Sequence, residues 1–307
     1  MNAIKLNPAL KSYLWGGYRL KELFGRENGG EKIAESWEVS VHPDGLSGCE
    51  GGTLAQYLKE NPDAVDQAGS PFPVLVKYID AKNNLSVQVH PNDEYAQAHE
   101  GDNGKTEMWY IVQADNGAGI YCGFKCDTTK EEFLRKVQDG TVEELLNFIS
   151  VKAGDCFLIK AGTVHAIGAG CVICEVQQSS NVTYRVYDYN RRDAQGNLRP
   201  LHIEKAVEVI DFNAFRDETG GTAFSLCAGG KSRLLTECKY FRCRELLLDG
   251  DYTEKAERSF IAINAIEGNG EIDGREFVSG DSFFVPFGSQ FTVRGKAKFI
   301  LTDEGRV

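Results

Sequence analysis

Residues 154–167, GDCFLIKAGTVHAI, and residues 280–293, GDSFFVPFGSQFTV, follow one layout. In each, a Gly-Asp pair opens a turn and a four-residue apolar strand follows; a glycine at 162 or 288 then marks a tight turn, and three residues later stands His165 or Phe291. A strand–turn–strand unit used twice points to an internally duplicated β architecture. The rest of the chain agrees. Short strand-like runs punctuated by glycine recur, among them PVLVKYID, LSVQVH, EMWYIV, CVICEV, TYRVYDY, SFIAINAI and KFILTD, which is the rhythm of a sandwich or barrel. Helical signals are few. TLAQYLKE opens on a Thr53 cap, and DTTKEEFLRKVQDGTVEELLNFIS predicts two short helices broken at Gly140, the second opened by a Thr141/Glu144 capping box. LHIEKAVEVIDF, at 201–212, predicts a third.

At 307 residues the chain has room for two domains, each with its own core. The polar, glycine-rich GGTAFSLCAGGKSR reads as a linker and places the boundary near residue 228. Residues 1–228 would form the metal-binding domain, with a small helical segment at about 127–149, and residues 229–307 a second β domain. Both template stretches resemble the second motif of the cupin superfamily: glycine, five residues, Pro-x-Gly, two residues, histidine. The first copy departs by Lys160 at the proline position, and the second by Phe291 at the histidine. The expected fold is therefore mainly β, two cupin-like jelly-roll barrels or sandwiches with a few short helices. Only the first copy is metal-competent, and in the second Phe291 fills the ligand's place with apolar volume.

Charge and cysteine usage narrow the function classes. The net charge of -11, with Lys and Arg scattered, gives nucleic acid or an anionic membrane no surface to bind. The sequence holds no signal-peptide stretch and no bilayer-spanning run, so a cytoplasmic location is expected. Nine cysteines, mostly inside apolar runs, suit buried thiols in a reducing compartment. Cys171 and Cys174 form a CxxC with no second pair to face it, and read as strand core.

If His165 is a metal ligand, its partners belong on neighbouring strands. In LSVQVHPNDEYAQ, Gln88 and His90 are two apart and share a face with Ser86; in GKTEMWYIV the same alternation joins Lys105 and Glu107. Gln88, His90, Glu107 and His165 together make an N/O donor set suited to zinc or another divalent transition ion. His42, His99 and His202 read as structural or solvated, His99 in a short helix capped by Asn92.

SVQVHPNDEYA, GKTEMWYI, AGTVHAIGAG and QQSSNVTYRVYDYNRRD resemble, in order and spacing, the short bacterial form of the class I mannose-6-phosphate isomerases, and the WGG and ESWEVS segments fit as well; the likeness runs over most of residues 12–205. That resemblance implies a zinc enzyme, one ion per chain, interconverting mannose 6-phosphate and fructose 6-phosphate. It implies the same ligands, Gln88, His90, Glu107 and His165, and an active-site arginine at Arg185. Moving a proton between C2 and C1 of the sugar through an enediol needs a polarised carbonyl, a base and positive charge for the enediolate. A divalent ion suits the first, Lys105 the second and Arg185 the third. YRVY places Arg185 and Tyr187 on one face. No GxxxxGK[ST] loop is present, so discrete side chains must hold the phosphate: Ser86 and Lys77, with Arg192 a weaker third. Trp15 and Trp37 are candidate pocket walls. Two rivals stand beside this reading: a non-haem iron oxygenase built on His90, Glu107 and His165, and a non-catalytic sugar-phosphate-binding cupin protein. The partner expected is a small sugar phosphate, and the assembly a monomer or weak homodimer.

Overall fold

The computed structural model describes residues 3–66, 68–193, 195–216 and 221–305. The architecture is mainly β, with antiparallel sheets of eight, six and five strands, a two-stranded ribbon and five short α-helices among the described residues. No helix among them is long and apolar enough to cross a membrane.

Two sheets frame the first half. Six strands run in the order Cys156–Ile159, Glu107–Ala114, Cys171–Gln178, Val74–Ala81, Glu35–Val39, Ala9–Lys11. Five more run Leu146–Ser150, Gly119–Phe124, His165–Ile167, Val87–Val89, Tyr184–Tyr187. Strand alternation decides what each face meets. Ile79, Trp109, Ile111 and Ile173 join Ile120, Cys122 and Ile167 of the other sheet in one buried cluster. Val76, Tyr78, Met108, Tyr110, Cys174 and Val176 face the opposite way, into a cluster shared with Leu6, Phe241, Phe284 and Ile300 of the eight-stranded sheet and with Phe260 just ahead of one of its strands. With apolar neighbours on both faces, Val74–Ala81 and Cys171–Gln178 are buried at every position, and their sequences are accordingly near-continuous apolar runs. Lys77, Glu107 and Glu175 lie at odd positions, on the face turned between the two sheets. Cys171 and Cys174 fall on opposite faces of one strand, both buried and both free thiols.

The eight-stranded sheet follows the order Ile4–Leu6, Ser282–Val285, Ile261–Ile272, Gln290–Glu304, Phe241–Lys255, Gly230–Glu237, Ser225–Cys227, with Arg275–Val278 paired to Ile261–Ile272. It wraps a third apolar cluster that includes Ile263, Phe277, Phe283, Phe291 and Phe299. Ile4, Lys5 and Leu6 pair with Phe284, Phe283 and Ser282, so residues 4–6 join the sheet otherwise formed by residues 225–304.

The two template stretches are built alike. Gly154 N–H donates to Ile111 O and Asp155 O accepts from Ile111 N–H; Gly280 and Asp281 make the same pair of bonds with Ala265. Gly162 N–H donates to His90 O at 2.9 Å, and Gly288 N–H to Ala256 O at 2.7 Å. Both glycines sit at positive φ, 89° and 74°, where a side chain would be strained. His165 pairs with Gln88, and Phe291 with Glu254. Ile159 pairs with Glu107, and Val285 with Ile261. The candidate metal-ligand positions of the first copy thus fall on Glu254, Ala256, Ile261 and Phe291 in the second, three of them packed in its apolar cluster.

Helix Leu54–Glu60 carries the expected Thr53 cap, completed as a capping box by Gln56. Helix Lys130–Gln138 is capped by Thr129. Beyond Gly140 the expectation of a second helix fails. Val142–Leu145 is a single 3-10 turn, Thr141 makes no side-chain cap, Glu144 pairs with Lys136, and Leu146–Ser150 is a strand. Its backbone pairs with residues 119–124 at the sheet edge, and this ladder wins over local helix preference. Helix Ile203–Val209 lies where expected. The stretch read as a linker is instead a hairpin, Ser225–Cys227 with Gly230–Glu237, and residue 228 lies in its turn. Its glycine-rich polar composition reflects a sheet edge, where Leu226 stands 92 % exposed.

Candidate metal centre

Gln88 lies in strand Val87–Val89 of the five-stranded sheet with His90 just past its end, His165 comes from the neighbouring strand, and Glu107 from the start of a strand in the six-stranded sheet. Their heads converge between the sheets. His165 Nε2 lies 3.2 Å from Glu107 Oε1, His90 Nε2 lies 3.6 Å from the same oxygen, and Gln88 Nε2 lies 3.3 Å from His165 Nε2. One donor atom from each of His90, Glu107 and His165 lies within 4.8 Å of the others, and all three residues are buried. Each imidazole is fixed from behind. His90 Nδ1 donates to Val182 O at 2.8 Å and His165 Nδ1 to Thr163 O at 2.9 Å. A carbonyl can only accept, so the proton sits on Nδ1 and each Nε2 offers its lone pair to the shared space. Trp109 packs edge-on to His165 at 5.3 Å between ring centroids.

The electrostatics favour a cation here. Burial, with Lys105 next in weight, pushes the His90 imidazole down to about 3, and burial also lowers His165. Both rings are neutral and ligand-ready. Burial works against the Glu107 charge, yet its neighbours, Lys105 foremost, outweigh it and hold this carboxyl well below its usual range. Neither Glu107 oxygen accepts a well-formed hydrogen bond, although Lys105 Nζ lies 3.1 Å away. A fully buried carboxylate with both oxygens unsatisfied is costly unless a cation sits against it. Two neutral imidazoles, one carboxylate and one amide, on opposing strands, fit a divalent ion of the zinc type.

This group borders a cleft of about 280 Å³ lined by, among others, Trp15, Lys77, Ser86, Gln88, Lys105 and Arg185. Ser86 Oγ lies 3.5 Å from Gln88 Oε1. Lys105 Nζ is 3.3 Å from His90 Nε2. Arg185 stands opposite Gln88 in the strand ladder, while the bulge after it sets Tyr187 out of register, and Tyr187 does not line the cleft. Neither nearby acid forms an ion pair with Arg185: Asp188 is engaged by Arg191 and Arg199, and Asp193 in a turn with Asn197. Lys77 lies between Glu175 at 3.3 Å and Glu35 at 3.8 Å, over the Trp37 ring. Burial disfavours its charge but those two carboxylates prevail and raise its pKa, so this lysine offers little net charge to a phosphate. Arg192 bonds Gly196 O on an exposed loop and is not among the residues lining the cleft. Trp15 lines the cleft, whereas Trp37 is fully buried behind Lys77.

Sequence reasoning missed several lining residues, among them Tyr13, Glu35, Glu175 and Arg199. Glu175 left a trace, since a carboxylate inside CVICEVQQ is out of place in a buried run; its pKa is raised by burial and by Glu107, and its Oε1 accepts from Trp109 Nε1 at 2.9 Å. A larger cleft of about 500 Å³ around Lys160 and Phe215 reaches Thr163, but its Asp127 and Asp211 serve turns at Ala214 and Asn213. Size alone does not mark the site; convergent donors do.

Comparison with known proteins agrees with this geometry. Residues 3–125 match the family model for the phosphomannose isomerase type I catalytic domain. The chain is 38 % identical over 307 residues to mannose-6-phosphate isomerase ManA of Bacillus subtilis, covering 96 % of both chains. It is 37 % identical over 273 residues to the mannose-6-phosphate isomerase of Streptococcus mutans, covering 87 % of this chain and 85 % of that one. The crystal structure of a Bacillus subtilis mannose 6-phosphate isomerase superposes with a TM-score of 0.91 at 33 % identity, over 98 % of this chain and 99 % of the other. With a buried His-Glu-His donor set in a cupin-type β fold and near-full-length likeness of this degree, the chain belongs to the type I mannose-6-phosphate isomerase family.

Proposed function

We propose that this isomerase interconverts mannose 6-phosphate and fructose 6-phosphate through an enediol, with one zinc ion held by Gln88, His90, Glu107 and His165. The observation that carries the reading is the pair of unsatisfied Glu107 oxygens facing two neutral, backbone-anchored imidazoles beside a cleft that also holds Lys105 and Arg185. When bound, zinc supplies Lewis acidity toward the sugar's carbonyl and hydroxyl oxygens.

The chain's own residues do the rest. Lys105 Nζ, within 3.3 Å of both His90 and Glu107, is placed, as the free amine, to take the proton from C2 as the C2–H electron pair moves into the C1–C2 bond. The same nitrogen returns that proton at C1, and a proton passes between O1 and O2, so atoms and electrons balance within one sugar. Arg185 donates through Nη1 to Pro200 O at 2.9 Å, while its Nε–H is buried without an acceptor. That leaves guanidinium donors for the oxygen that becomes negative in the enediolate, where preorganised N–H groups are most effective. Trp15 and the buried sheet interior exclude water from the reacting carbons.

A coupled assay of mannose 6-phosphate to fructose 6-phosphate conversion tests this. Chelation should abolish turnover and zinc should restore it; Arg185→Ala and Lys105→Met should each lower kcat by about 100-fold or more while zinc is retained. Turnover that persists in protein shown to be zinc-free would sink the proposal.

A further inference from the structure

Three guanidiniums gather near one end of the cleft, two of which, Arg185 and Arg199, line it. Arg199 meets Asp188 through both Nε, at 2.7 Å, and Nη2. Arg191 shares that carboxylate, with its Nε 3.1 Å from Asp188 Oδ1. One buried acid thus serves two arginines, and Arg185 makes no ion pair at all among the described residues. Three positive charges against one negative leave an excess of two in a chain whose net charge is -11. Burial and then Arg199 lower the pKa of Arg185, another expression of this crowding. Like charges held together in partly buried surroundings repel, and an anion between them relieves the repulsion.

The remainder of the cleft carries no such excess. Lys77 is matched by Glu35 and Glu175, and Lys105 by Glu107. The cleft is therefore polarised, with its basic end at Arg185 and Arg199, both of which line it. Asp188 occupies Nε and Nη2 of Arg199, which fixes the plane of the guanidinium and leaves Nη1 for a ligand. Asn181 and Thr183 add neutral polar groups to the same lining. A phosphate monoester carries about -1.5 to -2 charges near neutral pH and accepts forked hydrogen bonds, which matches both the charge and the donors.

We infer that Arg199, oriented by Asp188, anchors the phosphate of the substrate, with Arg185 between it and the metal-ligand group and Lys77 outside the anion subsite. The inference rests on the sugar-phosphate reading above. It is tested by titrating inorganic phosphate calorimetrically into zinc-loaded wild type, Arg199→Met and Arg199→Lys, alongside steady-state kinetics on mannose 6-phosphate. Arg199→Met should weaken phosphate binding by about 10- to 100-fold and raise KM by a similar factor. Its kcat should stay within about threefold, with zinc content unchanged and Arg199→Lys falling between the two. Phosphate affinity indifferent to both substitutions, or a fall in kcat at unchanged KM, overturns the inference. Arg199-dependent phosphate binding in a protein that does not turn over mannose 6-phosphate would keep the anion subsite and remove the isomerase reading instead.

Discussion

His90 and His165 show how a few backbone atoms can set the chemistry of a site. Each ring donates an Nδ1–H hydrogen bond to a carbonyl, of Val182 and Thr163, and burial keeps each neutral, which leaves the Nε2 lone pair available to a ligand-seeking cation. This has a measurable consequence for metal-free protein. His90 titrates near 3 in the fold but at about 6.5 when unfolded. Between those values the unfolded chain binds more protons, so stability is present above the higher one and is lost as pH falls below it. The urea midpoint of chelated protein should therefore drop as pH is lowered from about 6.5, and His90→Asn should drop less steeply. Parallel curves for the two proteins would count against the assignment. At this scale the sequence was most legible: alternation put Gln88 with His90 and Lys105 with Glu107, because period two is a local property. The partners of Lys77 were not local. They depend on the register that sets Lys77 opposite Glu175 on one side and Trp37 on the other, which no single strand encodes.

Among the elements, the duplicated turn teaches most. Both copies keep the same glycines and the same backbone bonds, to Ile111 and His90 in one and to Ala265 and Ala256 in the other. Turn geometry is carried by backbone and glycine, so it survives when the ligand does not. Phe291→His puts a polar ring into a cluster whose equivalent neighbours are Ala256 and Ile261. It should cost about 1–3 kcal/mol, read as a lower urea midpoint, and should bind no second zinc per chain by elemental analysis; a stoichiometry of two would refute this account. The elements that the sequence misplaced were those at sheet edges. Residues 146–150 and 225–237 are strands because neighbours offer unpaired backbone, and their local composition looks helical in the first case and loop-like in the second. Arg199 escaped notice for a related reason: it sits beyond the last strand of its sheet, and only the shared carboxylate of Asp188 brings it to the cleft.

Across the whole molecule, the six- and eight-stranded sheets share a core in which Tyr78 and Tyr110 meet residues such as Phe284 and Phe260. Tyr110 also donates to Glu245 at 2.7 Å, and Arg233 bridges Glu245 to Gly154 O in the first template turn. Halves joined this way should unfold together. Phe284→Ala, emptying part of the shared core, should cost about 3–5 kcal/mol. The loss should appear in a single transition by both tryptophan fluorescence, whose reporters Trp15, Trp37 and Trp109 lie in the first half, and far-UV circular dichroism. Two separated transitions would show that the halves fold independently. The pairing of Ile4–Leu6 with Ser282–Phe284 sets a timetable as well as a shape. Ile4–Leu6 must wait until Ser282–Phe284 have been made before they find their partner strand, so this edge of the sheet closes only after that later segment has left the ribosome. Until then the segment that becomes Ser282–Val285 has an open side, and the interval before Ile4–Leu6 closes it is when a nascent chain of this topology is most exposed to pairing with the wrong neighbour.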